Sequence, residues 1–251
     1  MVILRRPGAP WPLLVAANRD ERGDRPWRPP GRHWPDRPEV TAGMDELAGG
    51  SWLGVNDHGV VAGILNRRGA LGPEAGKRSR GELVLEALDH ADAMAAADAL
   101  AELDGRAYRP FNMVIADNRD GFWVRHAGEP EVEVRPLPLG LSMLTASDLN
   151  DETAPRVRHY LPLFRAAAPP DPEAGDWTAW EALMASRERE PDAGPRGAMT
   201  IVTDGAAEGA FGTVSGSLLA LPEPGPTNKL VWRFCPGRPG EAPFADVPLG
   251  G

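Results

Sequence analysis

Short apolar runs separated by turn residues dominate the start of the chain. The run at residues 11–17 follows a Pro-Gly-Ala-Pro turn and passes directly into four polar residues, Asn18, Arg19, Asp20 and Glu21. Such a run predicts a buried β-strand, which forms a hairpin with the aliphatic run at residues 1–6. Because strand ends on a rigid sheet often carry binding and catalytic groups, these polar residues form a candidate site. A charged strand end that simply faces solvent is the alternative interpretation.

The same pattern predicts further strands along the chain. A second hairpin is predicted around residues 49–66, with Asn56 and Asn66 at its strand ends and His58 in its turn. Four closely spaced runs further along are typical of an antiparallel meander, and three more follow near the C-terminus. The predicted strands lie at residues 111–116, 122–126, 132–137, 141–145, 199–203, 212–221 and 230–234.

Helical periodicity appears in two separate regions. Leucines and alanines over residues 83–103 predict one long helix or two short ones that begin after Ser79, and two more helices are predicted at 155–164 and 177–187. Strands and helices that occur in segregated runs favour an α+β fold in which helices cover two antiparallel sheets. We expect a single domain over residues 1–251.

Residues 22–40 are rich in proline and arginine and contain Trp27 and Trp34. Because proline opposes regular strand pairing, the segment is expected to be an ordered loop or lid. The two tryptophans are interpreted as anchors that hold this loop down, or as walls of a pocket, and the first interpretation is favoured.

Composition and charge narrow the possible functions. The chain is 42% hydrophobic and 25% charged, which is ordinary for a globular protein. Residues 1–80 hold 13 Lys/Arg against 9 Asp/Glu, although the net charge of the whole chain is −9. This asymmetry favours an anion site in the first third, while a solvated arginine-rich surface is the alternative. The overall acidity and the absence of a dense basic stripe argue against nucleic-acid binding.

Several kinds of chemistry and location are disfavoured by the sequence. The five histidines lack metal-ligand spacing, so no metal site is predicted, and no phosphate loop or Gly-x-Ser-x-Gly elbow occurs. No run is long enough for a membrane helix, and the N-terminus does not resemble a signal peptide. The single cysteine, Cys235, fits a reducing cytoplasm, and the dipeptide with Pro236 is a very weak signal for a haem thiolate.

Residues 18–21 spell Asn-Arg-Asp-Glu, the motif that names the NRDE family, also called the Transport and Golgi organisation 2 family. The chain is identified as a member because the resemblance continues, in order, through further short stretches. These are Gly-Gly-Ser-Trp-Leu-Gly-Val-Asn at 49–56, Asn66, Ser-Arg-Gly at 79–81 and Gly-Thr-Val-Ser at 212–215.

The same segments resemble the cholylglycine-hydrolase and penicillin-acylase group of N-terminal-nucleophile hydrolases, which implies an αββα sandwich. The resemblance makes Asp20 the residue that holds the free α-amine, Arg19 its neighbouring arginine and Asn66 an oxyanion ligand. An α-amine titrates near neutrality and can act as the base for its own thiol. However, this chain begins Met-Val-Ile where the family begins Met-Cys, and Ala146 stands where the hydrolases carry a second asparagine, with Asn150 four residues later.

The resemblance therefore implies two functions. The first is a binding protein for an amphipathic anion, haem or acyl-coenzyme A, with Asn18, Arg19, Trp27, Trp34, Trp52 and Asn56 as ligand-binding residues. The second is an N-terminal cysteine amidohydrolase that acts on a linear amide, which requires a true start that restores Met-Cys. In the first case Asp20, Arg19 and Asn66 are counterparts of catalytic residues without a nucleophile, and haem is a possible ligand and no certain cofactor. The oligomeric state is not predicted.

Overall fold

The structure is a computed structural model that describes residues 1–203, 210–225 and 229–249. Its strands and helices alternate in groups along the chain. The strands are β1 (Val2–Arg5), β2 (Leu13–Arg22), β3 (Trp27–Gly31), β4 (Val40–Asp45), β5 (Leu53–Asn56), β6 (Val61–Asn66), β7 (Phe111–Ala116), β8 (Gly121–His126), β9 (Glu133–Pro136), β10 (Gly140–Met143), β11 (Phe211–Leu221), β12 (Val231–Cys235) and β13 (Ala245–Asp246). The helices are α1 (Gly81–Leu88), α2 (Ala93–Ala101), α3 (Pro155–Ala166) and α4 (Thr178–Ala185).

The chain divides into two compact units. The first comprises Met1–Arg25, Leu139–Leu144 and Leu149–Val247, and the second comprises Pro26–Pro138, Thr145–Asp148 and Pro248–Gly251. Among the described residues, no helix is both long enough and apolar enough to span a bilayer. That the whole chain is one family domain stays a prediction.

The first unit contains an antiparallel sheet with the strand order β10-β1-β2-β11-β12-β13. One face of this sheet packs against α3 and α4, because alternate apolar residues of its strands meet the apolar stripes of the helices. Leu14 and Ala16 of β2 lie in this cluster together with Phe164 of α3 and Trp180 of α4. This core holds the central strand β2 rigidly, and the polar residues at its end are therefore fixed in place.

The second unit contains an antiparallel sheet with the order β3-β4-β5-β6-β7-β8-β9. Helices α1 and α2 cover one face of it, with Leu83, Leu88 and Leu100 packed against Phe111 and other apolar side chains of the sheet. The fold class predicted from the sequence, α+β with helices covering two antiparallel sheets, is confirmed. The region predicted as one or two helices forms two, α1 and α2.

Four details of the predicted secondary structure were wrong. Residues 22–40 are not irregular throughout, because β2 reaches Arg22 and β3 pairs with β4 as the edge of its sheet. The register shifts between Arg28 and Gly31, which is where two prolines fall, and an edge strand with a bulge tolerates their missing N–H groups. Strand β4, with its small central residues, was missed. Residues 199–203 form no strand, and β10 leaves the predicted meander to pair with β1.

Candidate functional site

The polar end of β2 divides between the two faces of its sheet. Side chains alternate along a strand, and Leu14 and Ala16 lie on the face covered by helices. Asn18 and Asp20 therefore lie on the helix-covered face, whereas Arg19 lies on the opposite face. One strand end thus supplies different groups to two environments.

Asp20 is held by two donors on the helix-covered face. Its Oδ1 accepts a hydrogen bond of 2.6 Å from Thr213 Oγ1, and its Oδ2 accepts one of 2.9 Å from Arg156 Nη1. The side chains of Asp20 and Arg156 are each only 17% exposed. Thr213 Oγ1 in turn accepts the N–H of Ile201 at 2.8 Å. The carboxylate therefore faces the protein interior and not bulk solvent.

The α-amine of Met1 lies close enough to this ion pair to be affected by both charges. It is buried and donates a hydrogen bond of 2.9 Å to the carbonyl of Leu144. The pKa of the amine is lowered from 8.0 to about 5, mainly by burial and also by the charge of Arg156, while the charge of Asp20 opposes the change. The amine is therefore uncharged at pH 7, which is the state in which it can accept a proton. The role of Asp20 as its partner stays a prediction.

Asn18 has a structural task in the first unit. Its Nδ2 donates to the carbonyls of Met184, at 3.0 Å, and Met199, at 2.9 Å, and thereby ties β2 to the end of α4. Its buried Oδ1 has no hydrogen-bond partner among the residues that the structure describes. The predicted ligand role of Asn18 is not tested by these contacts.

Arg19 lies among charges and hydroxyls on the opposite face. Its side chain is 8% exposed, and its Nη2 lies 4.0 Å from Glu21, which also lies 3.9 Å from Arg25. The register pairs Arg19 with Ser215 and the neighbouring Ala17 with Ser217, so both buried serines share this face. A guanidinium beside two hydroxyls is chemically suited to carboxylate or phosphate oxygens.

In the second unit, Asn66 occupies the last position of β6, opposite Phe111. Beside it, the N–H of Arg68 donates to the carbonyl of Ala146 at 3.1 Å. The two positions matched to oxyanion asparagines in the hydrolases are thus near each other within one unit, although only Asn66 carries an amide. Its role stays a prediction.

Asn112, which the sequence reasoning missed, organises the surroundings of Ala146. Its fully buried amide donates to the carbonyls of Thr145, at 2.9 Å, and Ser147, at 2.7 Å, and accepts Arg67 Nη1 at 2.7 Å. The only signal in the sequence was a polar residue inside an apolar strand. Such a residue must find hydrogen-bond partners when it is buried.

The three tryptophans predicted to bind a ligand have different surroundings: two of them pack against each other, and the third anchors a loop. The rings of Trp27 and Trp52 meet edge to face with centroids 5.8 Å apart, and Trp52 lies over Gly43, where a Cβ atom would come within 2.3 Å of its ring. Trp34 instead donates its indole N–H to the carbonyl of Gly49 at 2.9 Å and packs against the core. This geometry matches the anchor interpretation for Trp34 and leaves the ligand roles of all three as predictions.

Asn56 is fully occupied by the protein backbone. Its Nδ2 donates to the carbonyls of Leu88 and His90, and its Oδ1 accepts the N–H groups of His58 and Val60. These bonds close the turn after β5 and tie it to the end of α1. The bonds explain the residue structurally, and its predicted ligand role has no support in them.

Asn150 also serves the backbone. It has a positive φ of 57°, its N–H donates to the carbonyl of Met143, and its Oδ1 accepts the Met143 N–H at 2.8 Å. This places Asn150 as a cap on the end of β10, next to Leu144, which holds the Met1 amine. The strained backbone is offset by these bonds.

Cys235 does not fit a thiolate that binds haem iron. It is fully buried, and its thiol donates to the carbonyls of Gly237 and Ala242. Burial raises the pKa of the thiol, so the thiolate form is disfavoured.

Arg156 and Thr213 are the two site residues that sequence reasoning did not assign. Arg156 follows Pro155 at the start of α3, and Thr213 lies in the Gly-Thr-Val-Ser stretch already noted for its resemblance. Neither is near Asp20 in the sequence. Only the folded sheet and helix bring them together.

Comparison with solved structures places the fold. The chain is similar to a Caenorhabditis elegans N-acylethanolamine-hydrolyzing acid amidase ortholog, with 12% identity, 87% of this chain and 91% of that chain covered, and a TM-score of 0.55. It is also similar to a conjugated bile acid hydrolase from Clostridium perfringens, with 13% identity, 100% and 94% coverage, and a TM-score of 0.56. These TM-scores show that the chain shares the N-terminal-nucleophile hydrolase fold. Identities this low show nothing about its activity.

Comparison with curated proteins found no match. The family model described as Transport and Golgi organisation 2 matches residues 1–194, which include the candidate residues of β2 and most of the chain. The chain belongs to the Transport and Golgi organisation 2 family.

Proposed function

We propose that the protein binds a small amphipathic anion of the haem or acyl-coenzyme A kind, with its anionic group at the end of β2. The observation that carries this proposal is a concentration of guanidinium groups. Arg19, Arg25 and Arg156 all lie at or near the end of β2, and the side chains of Arg19 and Arg156 are only 8% and 17% exposed.

Two further contacts support an anionic ligand. Arg19 shares its face of the sheet with Ser215 and Ser217, whose hydroxyls can donate to anionic oxygens. On the other face, Arg156 Nη2 is buried and has no acceptor within the described part of the chain. Because a buried N–H group costs free energy unless it is hydrogen-bonded, an anionic oxygen beside this Nη2 would stabilise the protein.

The paired rings of Trp27 and Trp52 in the second unit supply a spectroscopic probe. Both rings are half-buried and packed edge to face. Their fluorescence is a readout that does not depend on Arg19.

Titration with haem and with a long-chain acyl-coenzyme A, followed by tryptophan quenching, tests the proposal. Removing the charge-assisted contact in Arg19→Ala should weaken binding by about 1.5–3 kcal/mol, or roughly 10- to 150-fold. Arg22→Ala is the matched control, since Arg22 lies on the same strand but is 65% exposed and paired with Asp24. Equal affinities for wild type and Arg19→Ala, or no saturable binding of either ligand, would reject the proposal.

The register of β1 and β2 favours a second candidate function, amide hydrolysis by an N-terminal cysteine. Val2 pairs with Ala16, so a residue two places before Met1 would lie opposite Arg19. Its α-amine would point towards the position opposite Asp20. In the chain as described, Met1 has no nucleophile, and the only cysteine is the buried Cys235.

An extended variant tests this second function. Cys-Gly is placed before position 1, the initiator methionine is removed, and hydrolysis of chromogenic N-acyl amides is measured beside an otherwise identical Ser-Gly variant. Amidase activity that appears only with cysteine and is lost on alkylation supports the function. Absence of activity in a folded Cys-Gly variant rejects it, and the unextended chain should show no thiol-dependent amidase activity.

A further inference from the structure

Two arginines of the second unit converge on one carboxylate oxygen. Arg125 Nε donates a hydrogen bond of 3.1 Å to Oδ1 of Asp148, and Arg67 Nη2 lies 2.7 Å from the same oxygen. The side chains of Arg67 and Arg125 are only 15% and 18% exposed, whereas that of Asp148 is 46% exposed. The carboxylate is therefore more accessible than either of the guanidinium groups that bind it.

Each of the two guanidinium groups is also held by a contact that does not involve Asp148. Arg67 directly follows β6, and its Nη1 donates at 2.7 Å to Oδ1 of Asn112, which is fully buried in β7. Arg125 belongs to β8 and pairs in register with Glu133 of β9, whose carboxylate lies 3.3 Å from Arg125 Nη1. The sheet therefore orients both arginines, as a preformed binding site requires.

Asp148 reaches these arginines from the turn at residues 145–148, and its side chain is held less firmly than the turn itself. Asn112 Nδ2 donates to the carbonyls of Thr145 and Ser147, so the backbone of the turn is fixed independently of the carboxylate. Burial would raise the pKa of Asp148, but hydrogen bonds from the two guanidinium groups lower it below its usual value. The arginine pair thus already binds a carboxylate anion, and this anion can rotate away while the turn stays in place.

We propose that Arg67 and Arg125 form a binding site for the carboxylate group of a small ligand, and that Asp148 is an autoinhibitory contact that occupies this site. Guanidinium groups suit this ligand because they donate charge-assisted hydrogen bonds to carboxylate oxygens. A ligand must displace Asp148, which competes at the high effective concentration of a tethered group. The site lies within the second unit, so the proposal goes beyond the anion site at the end of β2 and does not depend on it.

Titration with sodium acetate at neutral pH tests the proposal, with sodium chloride exchanged so that the ionic strength stays constant. The side-chain Nε–Hε NMR signals of Arg67 and Arg125 report binding. In Asp148→Ala, which removes the competing carboxylate, these signals should reach half-saturation at an acetate concentration about tenfold or more below that of wild type. The matched control is Asp24→Ala, which removes the partner of the exposed Arg22 and should give no saturable shift of the Arg22 signal.

Two results would overturn the proposal. The first is the absence of saturable acetate shifts in Asp148→Ala, and the second is an affinity no higher than that of wild type. Adding Arg19→Ala to Asp148→Ala should leave the acetate titration unchanged, so the outcome is separate from that of the site at the end of β2. A saturable shift of Arg22 in the control would also overturn it, because any unpaired arginine would then bind acetate.

A measurement on wild-type protein decides the question if Asp148→Ala does not fold. Acetate should shift the side-chain ¹³C carboxylate signal of Asp148 together with the Nε–Hε signals of Arg67 and Arg125. All three signals should follow one saturation curve, because binding of acetate and release of Asp148 are the same event. Saturable shifts of the arginines with Asp148 unmoved, or no saturable shift at all, would overturn the proposal.

Discussion

The buried α-amine of Met1 predicts a specific loss of stability as the pH falls. Its pKa is about 5 in the folded chain and 8.0 ordinarily, so the unfolded chain binds a proton that the folded chain does not. Well above pH 8 the amine is neutral in both the folded and the unfolded chain, so it does not affect the free energy of unfolding. Between pH 8 and pH 5 the free energy of unfolding should fall by about 1.4 kcal/mol per pH unit, or roughly 4 kcal/mol in total, and then level off.

Urea unfolding at closely spaced pH values measures this slope. The range from pH 8 to pH 6.5 isolates the amine, because burial also lowers the pKa of His126 from 6.5 and adds a loss of the same sign at lower pH. A decrease of about 2 kcal/mol is expected over this range. Intact mass must confirm that Met1 is retained in the sample. A free energy of unfolding that is constant or rises from pH 8 down to pH 6.5 would refute the reasoning.

Three further variants test the packing. Thr213→Val removes a donor to Asp20 and should destabilise the protein by about 1–3 kcal/mol in urea unfolding, whereas an unchanged midpoint would show that this hydrogen bond is dispensable. Gly43→Ala places a methyl group into the ring of Trp52 and should cost about 1–3 kcal/mol with a changed tryptophan spectrum; an unaltered spectrum contradicts this packing. Cys235 should resist a thiol reagent in native protein and react in urea, and fast native labelling would contradict its burial.

Local patterns were sufficient to predict much of the fold. The apolar run that becomes β2 and the leucine-alanine pattern of α1 and α2 depend on neighbouring residues, and such signals are readable along the chain. Whether a strand lies at the edge of a sheet depends on the whole sheet and cannot be seen in the local sequence. The prolines of β3 were therefore taken as evidence against a strand, although an edge strand tolerates them. The transfer of β10 to the sheet of β1 is likewise decided by tertiary pairing.

The candidate site, like the fold, could be predicted from the sequence only in part. The end of β2 was identifiable because a buried strand passes directly into polar residues. Its partners were not, since Arg156 and Thr213 are separated from Asp20 by 136 and 193 positions. Asn56 illustrates a different difficulty, because the sequence does not show that an amide at a strand end forms hydrogen bonds with the backbone.

Mapping a bound ligand onto the protein tests the central claim most directly. The first unit also has an open groove of about 450 Å³ lined by Thr178, Glu181 and Phe244, which gives a rival location. Two-dimensional NMR spectra during titration with a long-chain acyl-coenzyme A should show saturable shifts at Arg19, including its guanidinium, and at Ser215. Saturable shifts confined to the groove beside Phe244, with Arg19 unmoved, would contradict a binding site at the end of β2.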